Sequence, residues 1–421
     1  MLHGRSLLLL FPAGMLFACG GSSTRAPPPP PPTASVLQAP TTINLYPDGS
    51  SADGTRLYVF VTAVGSLTFN APLPLAFDTG SSGMTLYAPN AFPDQATPCT
   101  PSAPTACGFT FPKGQHSITF DNITVTDVQA SRCYGGASGH AQTGNIGFAV
   151  VTFGDAAGVL TTSTMPVFFY YKITANSTNP NQCDDSGNIA NPPTQQGWFG
   201  VNAQADGVVV NGILSSSSSP MCTNGGTSTC LVVSVFEYLQ YANGLDAGFL
   251  LSHQPLQMSC SIDLGNCLPE PMLTLGLTPA QTTGFNSMTL NCSATPIFQS
   301  FPSCIANIAN SVITVSAADG SNAMTYSDAF TLFDSGTANM ILVPPNGVNL
   351  PTTSGTNVLV GNENVLIALP NGYEYTYSSA SSGVDETVVN AAGIGRNIVG
   401  IDFFQNHDFY IDFTTSTEGW K

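Results

Sequence analysis

Short apolar runs separated by small polar turns dominate this chain. Leu57 to Val64 and Leu67 to Leu75 read as paired strands, and Met84 to Tyr87 reads as a third strand after a polar turn. The arrangement recurs near the other end, where Val312 to Val315, an Asp319-Gly320 turn and Ala329 to Phe333 lead into a second polar turn. The clearest helical spacing is Val233 to Gly244, with Val235, Tyr238 and Leu239 on one face and a closing Gly. Ser215 to Ser219 is a low-complexity loop. The body is therefore expected to be mostly β.

Both polar turns carry the same chemistry. Leu75-Ala76-Phe77-Asp78-Thr79-Gly80-Ser81-Ser82 and Leu332-Phe333-Asp334-Ser335-Gly336-Thr337-Ala338 each place one carboxylate at the end of an apolar strand, followed by a hydroxyl residue and Gly. Such a turn can bury an acid and still satisfy its oxygens, so two copies point to a carboxylate pair. The bare tripeptide is a weak signal, and Asp185-Ser186-Gly187, which has no apolar strand on either side, reads as a solvated turn. A second signature separates the other two from it. Trp198-Phe199-Gly200 follows the first motif and Ile398-Val399-Gly400 the second, and each can form a strand crossing beside an Asp turn, with Gly admitting the close backbone.

Composition then narrows the picture. The chain's 421 residues are enough for two lobes, and only 8% are charged. A net charge of −17 with eight scattered Lys and Arg excludes a phosphate-binding surface, so no nucleic-acid partner is expected. The low charge density predicts tolerance of acid, because few carboxylates must be neutralised as pH falls. No Gly-x-Ser-x-Gly elbow and no Gly-x-x-x-x-Gly-Lys occurs, which argues against a serine hydrolase and a nucleotide site.

The first eighteen residues, with Arg5 and the apolar run from Leu7, read as an export signal too short to span a bilayer. Leu16-Phe17-Ala18-Cys19 resembles a bacterial lipobox, which makes Cys19 the expected lipidation site and a membrane the expected partner of that residue. Pro27 to Pro32 lie in an extended spacer. Setting Cys19 aside leaves ten of eleven cysteines, an even number suited to disulfides in an exported chain. The simplest pairing joins Cys99 with Cys107, Cys222 with Cys230, Cys260 with Cys267, Cys292 with Cys304, and Cys133 with Cys183; the sequence leaves connectivity open. No Cys-x-x-Cys or His spacing marks a metal site, and neither metal nor cofactor is expected.

The two Asp motifs and their two crossing strands, in this order, resemble pepsin-like (A1-type) aspartic peptidases, in a bacterial lipoprotein variant. Tyr134-Gly135-Gly136-Ala137-Ser138-Gly139 is similar to the family's flap, and Phe409-Tyr410-Ile411-Asp412-Phe413 to its C-terminal run. The resemblance implies an all-β, bilobal acid protease fold, with two related six-stranded-type β-barrel lobes, a cleft between them and few short helices. It implies a leader at 1–18, a Pro-rich tether at 19–40, a first lobe at 41–278 and a second at 279–421. By the same resemblance, Asp78 and Asp334 are the catalytic pair, supported by Thr79, Gly80, Ser81, Ser335, Gly336 and Thr337, while Tyr134 and Gly135 cover the substrate. The implied activity is hydrolysis of extended polypeptides by an aspartate-activated water at acidic pH, by a monomer. The implied location is a bacterial outer membrane, by lipid anchor, or the exterior. The alternative is a weak or inactive pepsin-like binding module on the bacterial surface. One departure stands out: the family commonly has Trp seven residues after the first Asp, and this chain has Thr85, with Tyr87 nearby.

Overall fold

The computed structural model describes residues 30, 32–49, 55–134, 140–175, 188–189, 196–210, 229–255, 260–262, 265–298, 301–380, 386–389 and 395–421. Cys19, the leader and Asp185-Ser186-Gly187 lie outside them. The expected all-β character holds: the described helices are the four-residue turns Ala88–Ala91, Pro279–Thr282 and Phe403–Asn406, plus one 3-10 turn. None is long and apolar enough to cross a membrane.

The first Asp motif is delivered by a hairpin. Strands Arg56–Val64 and Leu67–Asp78 pair antiparallel, and Gly65, at φ 60°, turns between them. Alternation buries Leu57, Val59, Val61, Leu75 and Phe77 on one face. Strand Ser82–Tyr87 leaves the motif and pairs with Met165–Ala175, which in turn pairs with His140–Ala149 and the hairpin strand Ile123–Tyr134 beyond it. These strands close on themselves around the first lobe's core.

The second motif repeats this arrangement. Ile308–Ser316 and Met324–Phe333 pair antiparallel through the Asp319-Gly320 turn, where Gly320 has φ 79° and the Asp319 carboxylate accepts from Ser321 N–H. They belong to a seven-stranded sheet that also holds Asn397–Val399 and Met340–Leu342.

A third sheet joins the lobes. Thr41–Asp48 pairs with Glu270–Leu277, that strand with Asp246–Leu251, and Asp246–Leu251 with the C-terminal strand Phe409–Asp412. Above it the aromatic core runs without a break from one motif to the other. Phe77 meets Phe249 at 6.1 Å, Phe249 meets Phe409 at 6.2 Å, and Phe409 meets Phe333 at 6.2 Å between ring centroids. Each such contact contributes about 0.5–1.5 kcal/mol beyond area burial. The residues immediately before both aspartates are thus fixed in one shared core.

The helix expected over Val233 to Gly244 does not form. Ser234 caps a single 3-10 turn, Val235–Tyr238, in which every residue is buried. Leu239 then turns extended, at φ −82° and ψ 161°, and Gln240–Tyr241 pairs with Val36–Leu37. Core packing on all sides and a strand partner outweigh a helical spacing worth only tenths of a kcal/mol per residue (about 0–0.7).

Three of the simplest cysteine pairs are disulfides: Cys99–Cys107, Cys260–Cys267 and Cys292–Cys304. Such bonds persist in oxidising compartments, as an exported chain requires. The Cys222 with Cys230 and Cys133 with Cys183 pairings fall outside the described residues or side chains.

Candidate active site

Asp78 ends its strand and Asp334 directly follows its own, at the junction of the lobes, 4% and 9% exposed. The turns that follow are locked together by reciprocal hydrogen bonds. Thr79 Oγ1 donates to Phe333 O and accepts from Ser335 N–H, both at 2.9 Å. In the mirrored set, Ser335 Oγ donates to Phe77 O at 2.9 Å and accepts from Thr79 N–H at 3.1 Å. Each hydroxyl satisfies one donor and one acceptor of the opposite lobe, so the turns cannot separate without exposing four backbone groups.

The same symmetry surrounds the carboxylates. Gly80 N–H donates to Asp78 Oδ1 and Gly336 N–H to Asp334 Oδ1, each at 2.8 Å. Ser81 Oγ donates to Asp78 Oδ2, and Thr337 Oγ1 to Asp334 Oδ2 at 2.6 Å. Only Gly fits at the two turn positions: a Cβ on Gly80 would lie 2.3 Å from the Asp334 carboxyl carbon, and one on Gly336 2.6 Å from that of Asp78. The two acids therefore face one another across the pair of glycines.

Burial pushes the Asp78 carboxyl well above the usual range, helped by the Asp334 charge and a side-chain hydrogen bond with Asp334. The bonds from Ser81 and Gly80 oppose this without cancelling it. The pair can hold a proton between its members.

Both crossing strands lie against the motifs. Phe199 pairs with Phe77 and Gly200 with Asp78, in parallel; Val399 pairs with Phe333, and Val399 O accepts from Asp334 N–H at 2.9 Å. A Cβ on Gly200 would come within 2.7 Å of Ser81 O, and one on Gly400 within 2.4 Å of Asn339 O. Beyond the glycines, Asn202 N–H donates to Ser81 O and Ile401 N–H to Thr337 O, both at 2.9 Å, which holds each turn from behind.

Some contacts were not legible in the sequence. Asn202 also donates from Nδ2 to Thr79 O at 2.6 Å, and Ser82 Oγ bonds the carbonyls of Asn202 and Gln204. Arg56 donates from Nη1 to Gly336 O, crossing between lobes, and its guanidinium lies over Trp198. The tripeptide pattern carries no trace of these partners, because each lies far away in the chain. A hydrophilic Asn directly after an apolar-apolar-Gly-apolar run was the one available hint.

The hairpin strand Ile123–Tyr134 returns through His140–Ala149, with Tyr134 paired to His140. Gly135 and the tip to residue 139 lie outside the described residues, as does the Tyr134 side chain. Thr85 is fully buried and accepts from Trp198 N–H at 3.0 Å. Tyr87 packs on Tyr170, at 5.3 Å between rings, in a cluster with Val128, Ala130 and Ile146 beneath the hairpin. Among the described residues no group of His, Cys, Asp and Glu is arranged to hold a metal.

No protein-family model matches the chain, and no curated protein does. Solved structures do. The crystal structure of the aspartic proteinase from Irpex lacteus is similar over 91% of this chain and 97% of its own, at 14% identity and a TM-score of 0.51. That of basic 7S globulin from soybean is similar over 91% and 96%, at 10% identity and a TM-score of 0.46. The first likeness shows the fold, which is the bilobal, all-β pepsin-like one.

Proposed function

We propose that the chain is an aspartic endopeptidase, with Asp78 and Asp334 as its catalytic pair. The observation that carries this reading is the pair itself: two buried carboxylates facing one another across Gly80 and Gly336 inside a near two-fold set of donors. Buried acids this close cannot both ionise, so the pair retains one proton over a broad acidic range, the behaviour for which aspartic peptidases are the general example.

The chemistry follows from that shared proton. The ionised carboxylate takes a proton from a water held between the two acids, while the protonated one donates to the scissile carbonyl oxygen. Water adds to the carbonyl carbon without an acyl-enzyme. The tetrahedral intermediate collapses when the pair returns a proton to the leaving nitrogen. Thr79 and Ser335 keep the two acids at fixed separation, and Gly80, Ser81, Gly336 and Thr337 stabilise the ionised member. An extended peptide would lie along the cleft beneath the hairpin that carries Tyr134.

The second reading, a binding module with weak or no activity, draws on Thr85. That residue is engaged with Trp198 N–H and does not supply the aromatic anchor common in the family. One digestion separates the readings. An unfolded protein is incubated at acid and neutral pH with wild type, Asp78→Asn and Asp334→Asn, with and without a statine-type inhibitor. Inhibitor-sensitive cleavage by wild type, strongest in acid and lost in both variants, is expected. Absent or inhibitor-insensitive cleavage at every pH would leave the binding module.

A further inference from the structure

We propose that Arg56 and Trp198 form a side-chain position on the first lobe's wall of the cleft that selects an acidic residue of the bound peptide. The inference rests on reading the cleft as a peptide site, and it names the class of peptide that the site prefers.

Strand register puts these residues on the face of the catalytic pair. Tyr58 pairs with Ala76, and continuing that register two residues along each strand sets Arg56 beside Asp78. Cross-strand neighbours project from the same face of a sheet. Trp198 pairs with Ala76 and so shares that face, while Phe77 and Phe199 point into the core on the other. Both Arg56 and Trp198 are partly exposed.

The guanidinium is held in place, and its cross-strand neighbour Asp48 accepts from Ile262 N–H at 3.1 Å and forms no ion pair with it. The guanidinium carbon lies 5.3 Å from the centre of the Trp198 ring, and Nη1 donates to Gly336 O in the opposite lobe. Both partners are uncharged, and among the described residues no carboxylate forms an ion pair with Arg56. Nε is buried without a partner, so a ligand meets the remaining Nη hydrogens. A cation with spare donors beside an aromatic plane suits an Asp or Glu side chain: the fork binds the carboxylate and the ring covers the methylenes. The rest of the chain, at −17, repels acidic peptides, so acceptance of one depends on this fixed charge.

The test uses peptides identical except at one position, which carries Glu, Gln or Lys and is scanned across both sides of the cleaved bond. Assays run at a pH above the ordinary Glu pKa of about 4.3. Values of kcat/KM are measured for wild type, Arg56→Met, Arg56→Lys and Arg56→Glu. At one position Glu is expected to exceed Gln by about ten-fold, the size of a hydrogen bond to a charged group. The preference should vanish in Arg56→Met, persist in part in Arg56→Lys and turn towards Lys in Arg56→Glu. In parallel, calorimetry reads binding of the same peptides to Asp78→Asn with and without Arg56→Met, which needs no turnover. Cleavage by wild type with equal use of Glu and Gln at every position, or a Glu preference that survives Arg56→Met, overturns the acidic pocket and leaves the peptidase. Absence of cleavage with acidic-peptide binding that Arg56→Met removes overturns the peptidase and leaves the pocket. Neither binding nor cleavage overturns both.

Discussion

The separation of the two carboxylates depends on two hydroxyls. Thr79 Oγ1 is buried and bonds one backbone donor and one backbone acceptor of the other lobe. Thr79→Val keeps the shape of the side chain but strands Phe333 O and Ser335 N–H, at about 1–3 kcal/mol for each buried group left unpaired. Thermal or urea unfolding is therefore expected to show a loss of about 2 kcal/mol or more, with a fall in any acid peptidase activity. An unchanged unfolding midpoint would mean that other contacts hold the turns together. Asn202 plays a comparable part from behind, through Thr79 O and Ser81 O, and only its place directly after Trp198-Phe199-Gly200-Val201 hinted at it.

Among elements, the crossing strands explain why each motif needs an apolar-apolar-Gly partner far downstream. The parallel pairing of Phe199 with Phe77 and of Val399 with Phe333 seats a strand so close to the Asp turn that any side chain at the Gly meets a carbonyl. Gly400→Ala, whose Cβ would fall 2.4 Å from Asn339 O, is expected to cost about 1–3 kcal/mol by overpacking. Gly158→Ala makes a fitting contrast, since its Cβ would meet nothing nearer than Ile43 at 3.7 Å, and its unfolding midpoint should scarcely move. Equal effects of the two substitutions would show that the close approach is not what holds Gly400. The failed helix belongs to this scale too. Val235, Tyr238 and Leu239 have helical spacing, but Val36–Leu37, two hundred residues away (roughly), competes for the next residues as a strand partner.

The whole molecule carries buried acids beyond Asp78 and Asp334. Burial raises Glu237 and Glu418 to about 8, and also raises Asp412 and, with the Asp334 charge, Asp78. A raised carboxyl pKa means that the folded chain holds its proton more tightly than the unfolded chain. The stability from these groups is thus complete below the ordinary values of 3.8 and 4.5 and declines as pH rises towards about 8. Asp155 works the other way: burial raises it, but bonds from Tyr46 and Asn44 leave it lowered, so its contribution fades only as pH falls below the ordinary range. Tm is expected to be highest in mild acid and to fall between about pH 4 and 8. Glu418→Gln, at a site 2% exposed, should flatten that fall. A Tm that climbed across the same range would contradict the tight protonation of these acids. Acid tolerance, expected from low charge density alone, thus gains a second cause that depends on burial.

Sequence by itself determined what short-range physics can encode. Alternating apolar runs gave the paired strands before Asp78 and Asp334, small residues gave the turns, and Gly200 and Gly400 marked the close approaches; near neighbours in the chain gave three disulfides. Those signals survive because each depends on residues within one strand, one turn or one short loop. Tertiary structure alone decided the rest. It brought Thr79 to Ser335 across 256 positions and Arg56 to Gly336 across 280, placed Asn202 behind the first turn, and made of the Val233 to Gly244 segment a 3-10 turn and a two-residue strand in place of a helix. These contacts exist only once the aromatic core from Phe77 to Phe333 has closed, and no local periodicity records which distant groups that closure will bring together.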